Sequence, residues 1–433
     1  MLRLLDLRDA PDDLASLRTR LPRPVASEAG PVGVVRTILA DVRASGDQAV
    51  RRYTAEFDGI DTADHRVPLA ECHAALTRIA PELCDALLHA HRAVVAYQQS
   101  HLHDGVDVTS NGLRLRSRTV PVDRAGCYVP GGRAPLASTV LMTASIAKAA
   151  GVAQVVLCSP PDHSTGRPVD AILAAAAVAG VDEVYAIGGA QAIGAMAYGT
   201  ATVQPVDVIV GPGNIYVSIA KREVASEGLV GVPSSFAGPS EVVVIADASV
   251  PARFAALDVV LQAEHGPDGM GWLISWDEAV LADVIAEITE ITQSSPRRAD
   301  LEANFAANGF AVLVRDAAQA IAVSNAVAPE HLELLVADPE PLLADVRHAG
   351  AVFAGAWMPA SIGDYVAGPS HVLPTFGSAR FASALTVTDF QKHLHVVSGD
   401  EAAMRGIARH VVALANAEGL PAHAGSITER LAR

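Results

Sequence analysis

The sequence predicts an α/β protein made of two tandem units, each a parallel sheet covered by helices. Three observations carry that prediction. From about residue 125 onward, short β-branched runs alternate with Ala-rich helical runs, the pattern of parallel strands joined by crossover helices. Hydrophobic residues make up 50% of the chain and aromatics only 4%, so Ala, Val, Leu and Gly do the packing, which suits helices and strands buried on both faces. The length of 433 residues allows two or three domains.

In chain order, residues 1–127 read as a helical segment that joins the main α/β body. VGVVRTILADVRASGDQAVRRYTAEFDG has apolar positions at helical spacing, with Ser45-Gly46-Asp47 as the break between two helices. ECHAALTRIAPELCDALLHAHRAVVAYQQSH continues in that style, and LRLRSRTVPVDRAGCYVPGG alternates like a strand or hairpin running into a glycine turn. Residues 128–239 form the first unit: QVVLCSPP precedes VDAILAAAAVAG, EVYAIGG precedes AQAIGAMAYG, and VDVIVGPG precedes NIYVSIAKREV. Residues 240–385 form the second: EVVVIAD, a helix at about 251–265, WLISW, a helix at 278–292, FAVLVRD, a helix at 316–327, LELLVAD, another helix and AVFAGAW. Residues 386–433 are a tail that ends in the helix MRGIARHVVALANAEG and a short coda, LPAHAGSITERLAR. No short-period repeat, low-complexity tract or long linker interrupts the series.

Net charge is −16, so no basic field exists to attract phosphates and nucleic-acid binding is disfavoured. Cys72, Cys84, Cys127 and Cys158 form no CxxC pair and no disulfide framework, which points to a reducing compartment. Cys158 closes an apolar run as a small buried hydrophobe. MLRLLDLRDAPDD turns acidic too early for a signal peptide, and apolar runs such as AILAAAAVAG stop short of the roughly 18 residues a membrane span needs. The expected location is the cytoplasm.

Three glycine-rich turns follow predicted strands: YVPGGR at 128–133, IGGAQAI at 187–193 and VGPGNIY at 210–216. A strand-to-helix turn aims backbone N–H groups at an anion. None matches GxGxxG, and any one alone is as readily an ordinary tight turn. Three in one α/β unit point to a phosphate-bearing ligand at the carboxyl edge of the sheet.

Most of the 15 histidines read as incidental; His65, His73, His89, His91, His101 and His103 fall in the helical N-terminal third, at positions expected to be exposed. Others have chemical neighbours. FAALDVVLQAEHG is an apolar helical run whose last turn places Gln262 and His265 on one face before Gly266-Pro267 stops it. His331 follows Glu330 in APEHLEL. His371 lies seven residues after Asp364 in GDYVAGPSHVLPT, and His423 lies five after Glu418 in EGLPAHAG. Zinc accepts imidazole nitrogen and carboxyl or amide oxygen, but no single segment supplies four donors and there is no HExxH. Spacing alone leaves two options open: a site assembled from Gln262, His265, Asp364 and His423, or separate hydrogen-bonded structural residues. Glu330-His331 has the residue types of a general base beside a carboxylate that can orient water, yet Glu264-His265 repeats the dipeptide.

AGPSEVVVIAD (237–247), LQAEHGPDG (261–269), APEHLEL (328–334), GDYVAGPSHVLPTFGSARF (363–381) and AEGLPAHAG (417–425) stand in an order and spacing that resemble histidinol dehydrogenases. YVPGG, GGAQAI and VGPGNIYV fit upstream, as does FDG near residue 58, so the resemblance covers nearly the whole chain. It implies two Rossmann-like units and oxidation of L-histidinol to L-histidine with two NAD, through a bound aldehyde. It also implies one Zn2+ per site and a homodimer with exchanged C-terminal tails. Carried over by residue, it implies Gln262, His265, Asp364 and His423 as zinc ligands, His331 as general base and Glu330 as activator of water in the second half-reaction. Ser240, Gln262, His265, His331, Asp364, His371, Glu418 and His423 would surround the substrate. Tyr128, Gln191 and Asn214 would lie along NAD, each in or beside a glycine turn. Glu418 and His423 would enter the partner's site.

The sequence departs from the family pattern at Ser234, where Asp is usual, and at Ala360, where Glu is frequent. It departs again in PLAST and SIAKAAG after the first glycine turn, where prolines are common. These positions leave a second reading: a related zinc and NAD dehydrogenase for another small alcohol, such as a sulfonated diol. Glu418, expected to hold the imidazole, favours histidinol. Two further classes are a non-catalytic α/β binding protein, which would hold no zinc, and a zinc hydrolase, which would turn over without NAD.

Overall fold

A computed structural model describes residues 2–22, 29–131, 135–233, 240–263 and 269–432. Its strands, in chain order, are β1 (Arg3–Asp6), β2 (Arg66–Val67), β3 (Asp107–Ser110), β4 (Leu113–Pro121), β5 (Arg124–Tyr128), β6 (Gln154–Ser159) and β7 (Glu183–Ala186). They continue as β8 (Val208–Val210), β9 (Glu241–Ala246), β10 (Met270–Ser275), β11 (Gly309–Leu313), β12 (His331–Leu335), β13 (Ala351–Ala354) and β14 (Gln391–Ser398). One sheet has the order β2-β7-β6-β5-β8; β5 to β8 are parallel, and β2 pairs antiparallel with β7. A second sheet, β1-β11-β10-β9-β12-β13, is parallel throughout. Counted from β5 and from β9, both sheets place their strands in the order third, second, first, fourth.

The strands are apolar on both faces because helices cover both faces. Along β6, Val155 and Leu157 enter one cluster while Val156 and Cys158 enter the opposite one. Helices Leu69–Arg78, Pro81–Gln99 and Asp170–Ala179 pack on the first face. Helices Ala29–Ser45, Asp47–Asp58, Gly189–Tyr198 and Ile215–Ser226 pack on the second. The other sheet repeats this: Val243 and Ile245 face helix Ala317–Val327, while Val242 and Val244 face helix Ala252–Ala263 and helix Glu278–Ser294. No helix among the described residues is long and apolar enough to cross a membrane. The four cysteines are free thiols, and Cys158 is fully buried.

The expected alternation of strands and helices is present from β5 to β13, and helix Ala29–Ser45 breaks from helix Asp47–Asp58 at Gly46, which has φ 53°. Five features differ from expectation. β1, inside the segment read as helical, closes the edge of the far sheet by pairing with β11. β14, inside the tail, pairs with β4 of the antiparallel sheet β14-β4-β3. An additional helix, Arg298–Asn308, precedes β11, and the coda is itself a helix, Pro421–Leu431. His65, expected to be exposed, is 5% exposed, because the edge pairing of β2 with β7 lays this segment against the sheet.

Candidate functional site

Two regions bring the singled-out residues together. The first is a cleft of about 620 Å³ at the carboxyl ends of β5 to β8. Tyr128 ends β5 and is 3% exposed; its hydroxyl accepts a hydrogen bond from the Gly189 N–H (3.1 Å) at the second glycine turn. The third turn presses against the same residue: a Cβ on Gly211, which has φ 107°, would lie 2.0 Å from the Tyr128 carbonyl oxygen. Only glycine allows that approach. Asn214 then caps helix Ile215–Ser226, its Oδ1 accepting from the N–H groups of Tyr216 (3.0 Å) and Val217 (3.2 Å). Tyr128, Gln191 and Asn214 all line the cleft.

Gln191 is fully buried, and neither arm of its amide finds a partner among the described residues. A buried amide without partners is costly unless a ligand supplies them. Helix Gly189–Tyr198 also begins without a side-chain cap, which leaves N–H groups of its first turn to the cleft. These features fit a dinucleotide such as NAD, whose pyrophosphate takes backbone N–H donors.

The second region lies at the amino ends of β9 and β12. Helix Ala252–Ala263 packs on the face of β12 that carries His331 and Glu333, and the two elements match in step. One helical turn of four residues rises about 6 Å, close to the roughly 6.6 Å of two strand residues. Gln262 therefore meets His331, with Nε2 and Nδ1 3.0 Å apart, and Asp258 meets Glu333 one step below. Helix Ala360–Tyr365 adds the third side: the Ala360 N–H donates to Glu333 Oε1 (3.1 Å), and Asp364 Oδ1 lies 3.5 Å from His331 Nε2. Gly363 permits this fit, since a Cβ there would stand 2.5 Å from the Phe353 ring that stacks on His331.

Glu330 completes the group. Its Oε2 is 3.7 Å from His331 Nδ1, and it accepts from the Glu241 N–H (3.1 Å) and from the Ser240 side chain. Just upstream, Ala328 caps helix Ala317–Val327 in the left-handed region at φ 56°, a conformation costly for a residue other than Gly. Burial raises the Glu330 carboxyl despite His331 beside it and the Glu241 N–H. Burial alone would lower His331, but the Glu330 and Asp364 carboxylates outweigh it and hold the imidazole above its ordinary value.

The segment after Asp364 ties this region to the cleft's sheet. His371 Nδ1 bonds the Asp364 carbonyl (2.9 Å), and its Nε2 bonds Thr139 Oγ1 (3.0 Å). Ser370 donates to the Met142 carbonyl (3.0 Å), inside a π-helical turn over Leu141–Ser145. Such a turn leaves backbone groups without their usual helical partners.

His265 and Ser234 lie outside the described residues. Glu418 and His423 are exposed on tail helices that pack against each other, and no described bond joins them to Gln262, His331 or Asp364 in the same chain. No group of three His, Cys, Asp or Glu side chains converges as a metal site among the described residues. The donors present at His331, an amide and a carboxylate, are nevertheless of the kind a zinc ion accepts.

Sequence reasoning missed three buried acids here: Asp258, Glu333 and Glu241. The first two were legible in spacing, since Asp258 is one helical turn before Gln262 and Glu333 two strand residues after His331. Glu241 is pushed up to about 8 by burial and by Glu330, while accepting from the backbone of Gly377 and Phe376.

A family model described as histidinol dehydrogenase matches residues 21–431. Among curated proteins, a histidinol dehydrogenase of Synechococcus sp. is 47% identical over 92% of this chain and 91% of its own length. One from Gluconobacter oxydans is 44% identical, covering 97% and 96%. Among solved structures, the histidinol dehydrogenase of Elizabethkingia anophelis superposes with a TM-score of 0.93 at 33% identity, over 99% of this chain and 98% of that one.

Proposed function

The chain belongs to the histidinol dehydrogenase family, and from that premise we propose that it oxidises L-histidinol to L-histidine by two successive hydride transfers to NAD, through a histidinal that stays bound. The observation that carries this reading is one buried imidazole, His331, faced at its two ring nitrogens by Gln262 and Asp364, with Glu330 alongside.

His331 takes the hydroxyl proton as the first hydride leaves the alcohol carbon. Water then adds to the aldehyde, and Glu330 takes its proton; burial raises this carboxyl and makes it a stronger base than an exposed one. The second hydride leaves the hydrated aldehyde and the carboxylate remains. Summed, one alcohol, one water and two NAD become one carboxylate, two NADH and three protons. When bound, zinc supplies positive charge and a fixed anchor for the nitrogens of the amino alcohol. Gln262, His265 and Asp364 would hold it, together with His423 of the partner subunit.

The strand order of both sheets supports Rossmann-like units, with NAD in the cleft at the carboxyl edge of the first. The exposure of Glu418 and His423, with no described bond to Gln262, His331 or Asp364 in the same chain, supports a homodimer with exchanged tails. Two observations favour a second reading, a related dehydrogenase for another small alcohol. Thr139, in the departing PLAST segment, touches His371, and the backbone N–H of Ala360, another departure, touches Glu333.

The test is NADH formation at 340 nm with L-histidinol and with a panel of other small alcohols, sulfonated diols included. Two NADH per histidinol are expected. His331→Ala should lower kcat by about 10²- to 10⁴-fold with zinc content near normal. NADH formed only from another alcohol would move the assignment to the second reading. Turnover without NAD would indicate a hydrolase.

A further inference from the structure

The cleft contains an acid with no part in the chemistry above. We propose that Asp58 receives the adenosine ribose of the dinucleotide and makes this cleft select NAD over NADP; the inference rests on the reading that NAD lies there. Asp58 ends helix Asp47–Asp58, where Gly59 turns the chain at φ 68°. It lines the cleft, and its Oδ2 is buried with no partner among the described residues. Its charge also bears on the Tyr128 phenol across the cleft wall.

The direction of the dinucleotide follows from the two faces of the sheet. Pro135, Val169 and Ile172 bound the cleft on the face that carries Thr139, which is bonded to His371 and so stands beside the reacting region. Val34, Ile38, Phe57 and Asp58 bound it on the opposite face. The glycine turn at 188–189 lies between, with first-turn N–H groups for the pyrophosphate. With the nicotinamide end toward His371, the adenosine end reaches Asp58.

A carboxylate accepts a ribose 2′-hydroxyl but repels a 2′-phosphate. Among the described residues that line the cleft there is no Lys or Arg to pair with such a phosphate. Among the described residues, the titratable neighbour that acts on Asp58 is His163, whose Nδ1 would lie 3.6 Å from a Cβ on Gly59. Burial pushes Asp58 up to about 6, so at pH 8 it is ionised.

The experiment titrates NADH and NADPH separately onto the purified protein at pH 8, without metal or alcohol, following nicotinamide fluorescence. Wild type is expected to favour NADH by about 30-fold or more, and Asp58→Asn and Asp58→Ser to cut that preference by about tenfold or more, as removal of a facing charge predicts. Asp58→Glu should keep the preference, which separates charge from folding. An unchanged NADH-to-NADPH ratio in Asp58→Asn and Asp58→Ser, or equal weakening of both ligands, overturns the assignment of Asp58. Gln191→Ala tests the cleft itself and should weaken both dinucleotides alike. If wild type binds NADH while Gln191→Ala and Asn214→Ala bind it equally well, the dinucleotide lies elsewhere and the cleft reading falls; so it does if wild type binds no NADH.

Discussion

Lys221 shows how much one buried group can govern. It is fully buried, its Nζ donates to the Gly211 carbonyl (2.8 Å), and burial pulls its ammonium down to about 7. An unfolded lysine keeps its proton up to about 10.4. Between these values the unfolded chain binds more protons than the folded one, so this group makes stability rise with pH from about 7 to about 10. Urea midpoints at pH 7 and pH 9 check this: the increase expected from Lys221 in the wild type should disappear in Lys221→Met. An equal increase in both proteins would remove the lysine from the account. Such a residue was not legible in IAKREV, where a lysine reads as solvated. Gln262 was legible, because a polar side chain on the last turn of an apolar helix has few reasons to be there.

At the scale of elements, the match between one helical turn and two strand residues holds the site together. Glu333 joins three elements: its own strand, Asp258 on helix Ala252–Ala263, and the Ala360 N–H that opens helix Ala360–Tyr365. Burial first, then Asp258, raise the Glu333 carboxyl well above its usual value, so Glu333 holds the shared proton. Glu333→Gln keeps a donor for Asp258 and an acceptor for Ala360, and should cost less than about 1 kcal/mol. Glu333→Leu strands both partners and should cost about 2–5 kcal/mol by chemical denaturation. Equal losses would show that packing alone matters there. Most elements were legible because β-branched runs and Ala-rich runs differ in period. β1 was not, since four residues with an exposed pattern carry no clear alternation; its signal is the partner strand, far away in sequence. β14 was hidden for the same reason, with its pairing to β4 set by tertiary contact.

At the scale of the whole molecule, the tail is the part that one chain leaves unexplained. Leu394, Val397, Leu414 and Leu420 are exposed on it, and Trp357, Tyr365 and Phe381 are exposed around the segment bearing Asp364. The proposed dimer would cover these residues with the tail of a second copy. Heterodimers of His423→Ala with His331→Ala should then recover activity, because one of the two sites would combine an intact base with an intact tail. Verified heterodimers without activity would place each site within one chain. Assembly of this kind was legible only through resemblance, since exposed leucines on an amphipathic helix do not name what covers them.

The pairing of Arg3 with Phe310 also sets an order of events during synthesis. β1 belongs to the second sheet, and its neighbour β11 emerges some 300 residues later. At roughly 5–20 residues per second, that is a wait of about 15–60 s. In that interval β5 to β8 can assemble, because all four are complete by residue 210. The half built on β5 to β8 is thus an insertion that matures first, while β1 remains unpaired until β11 arrives to receive it.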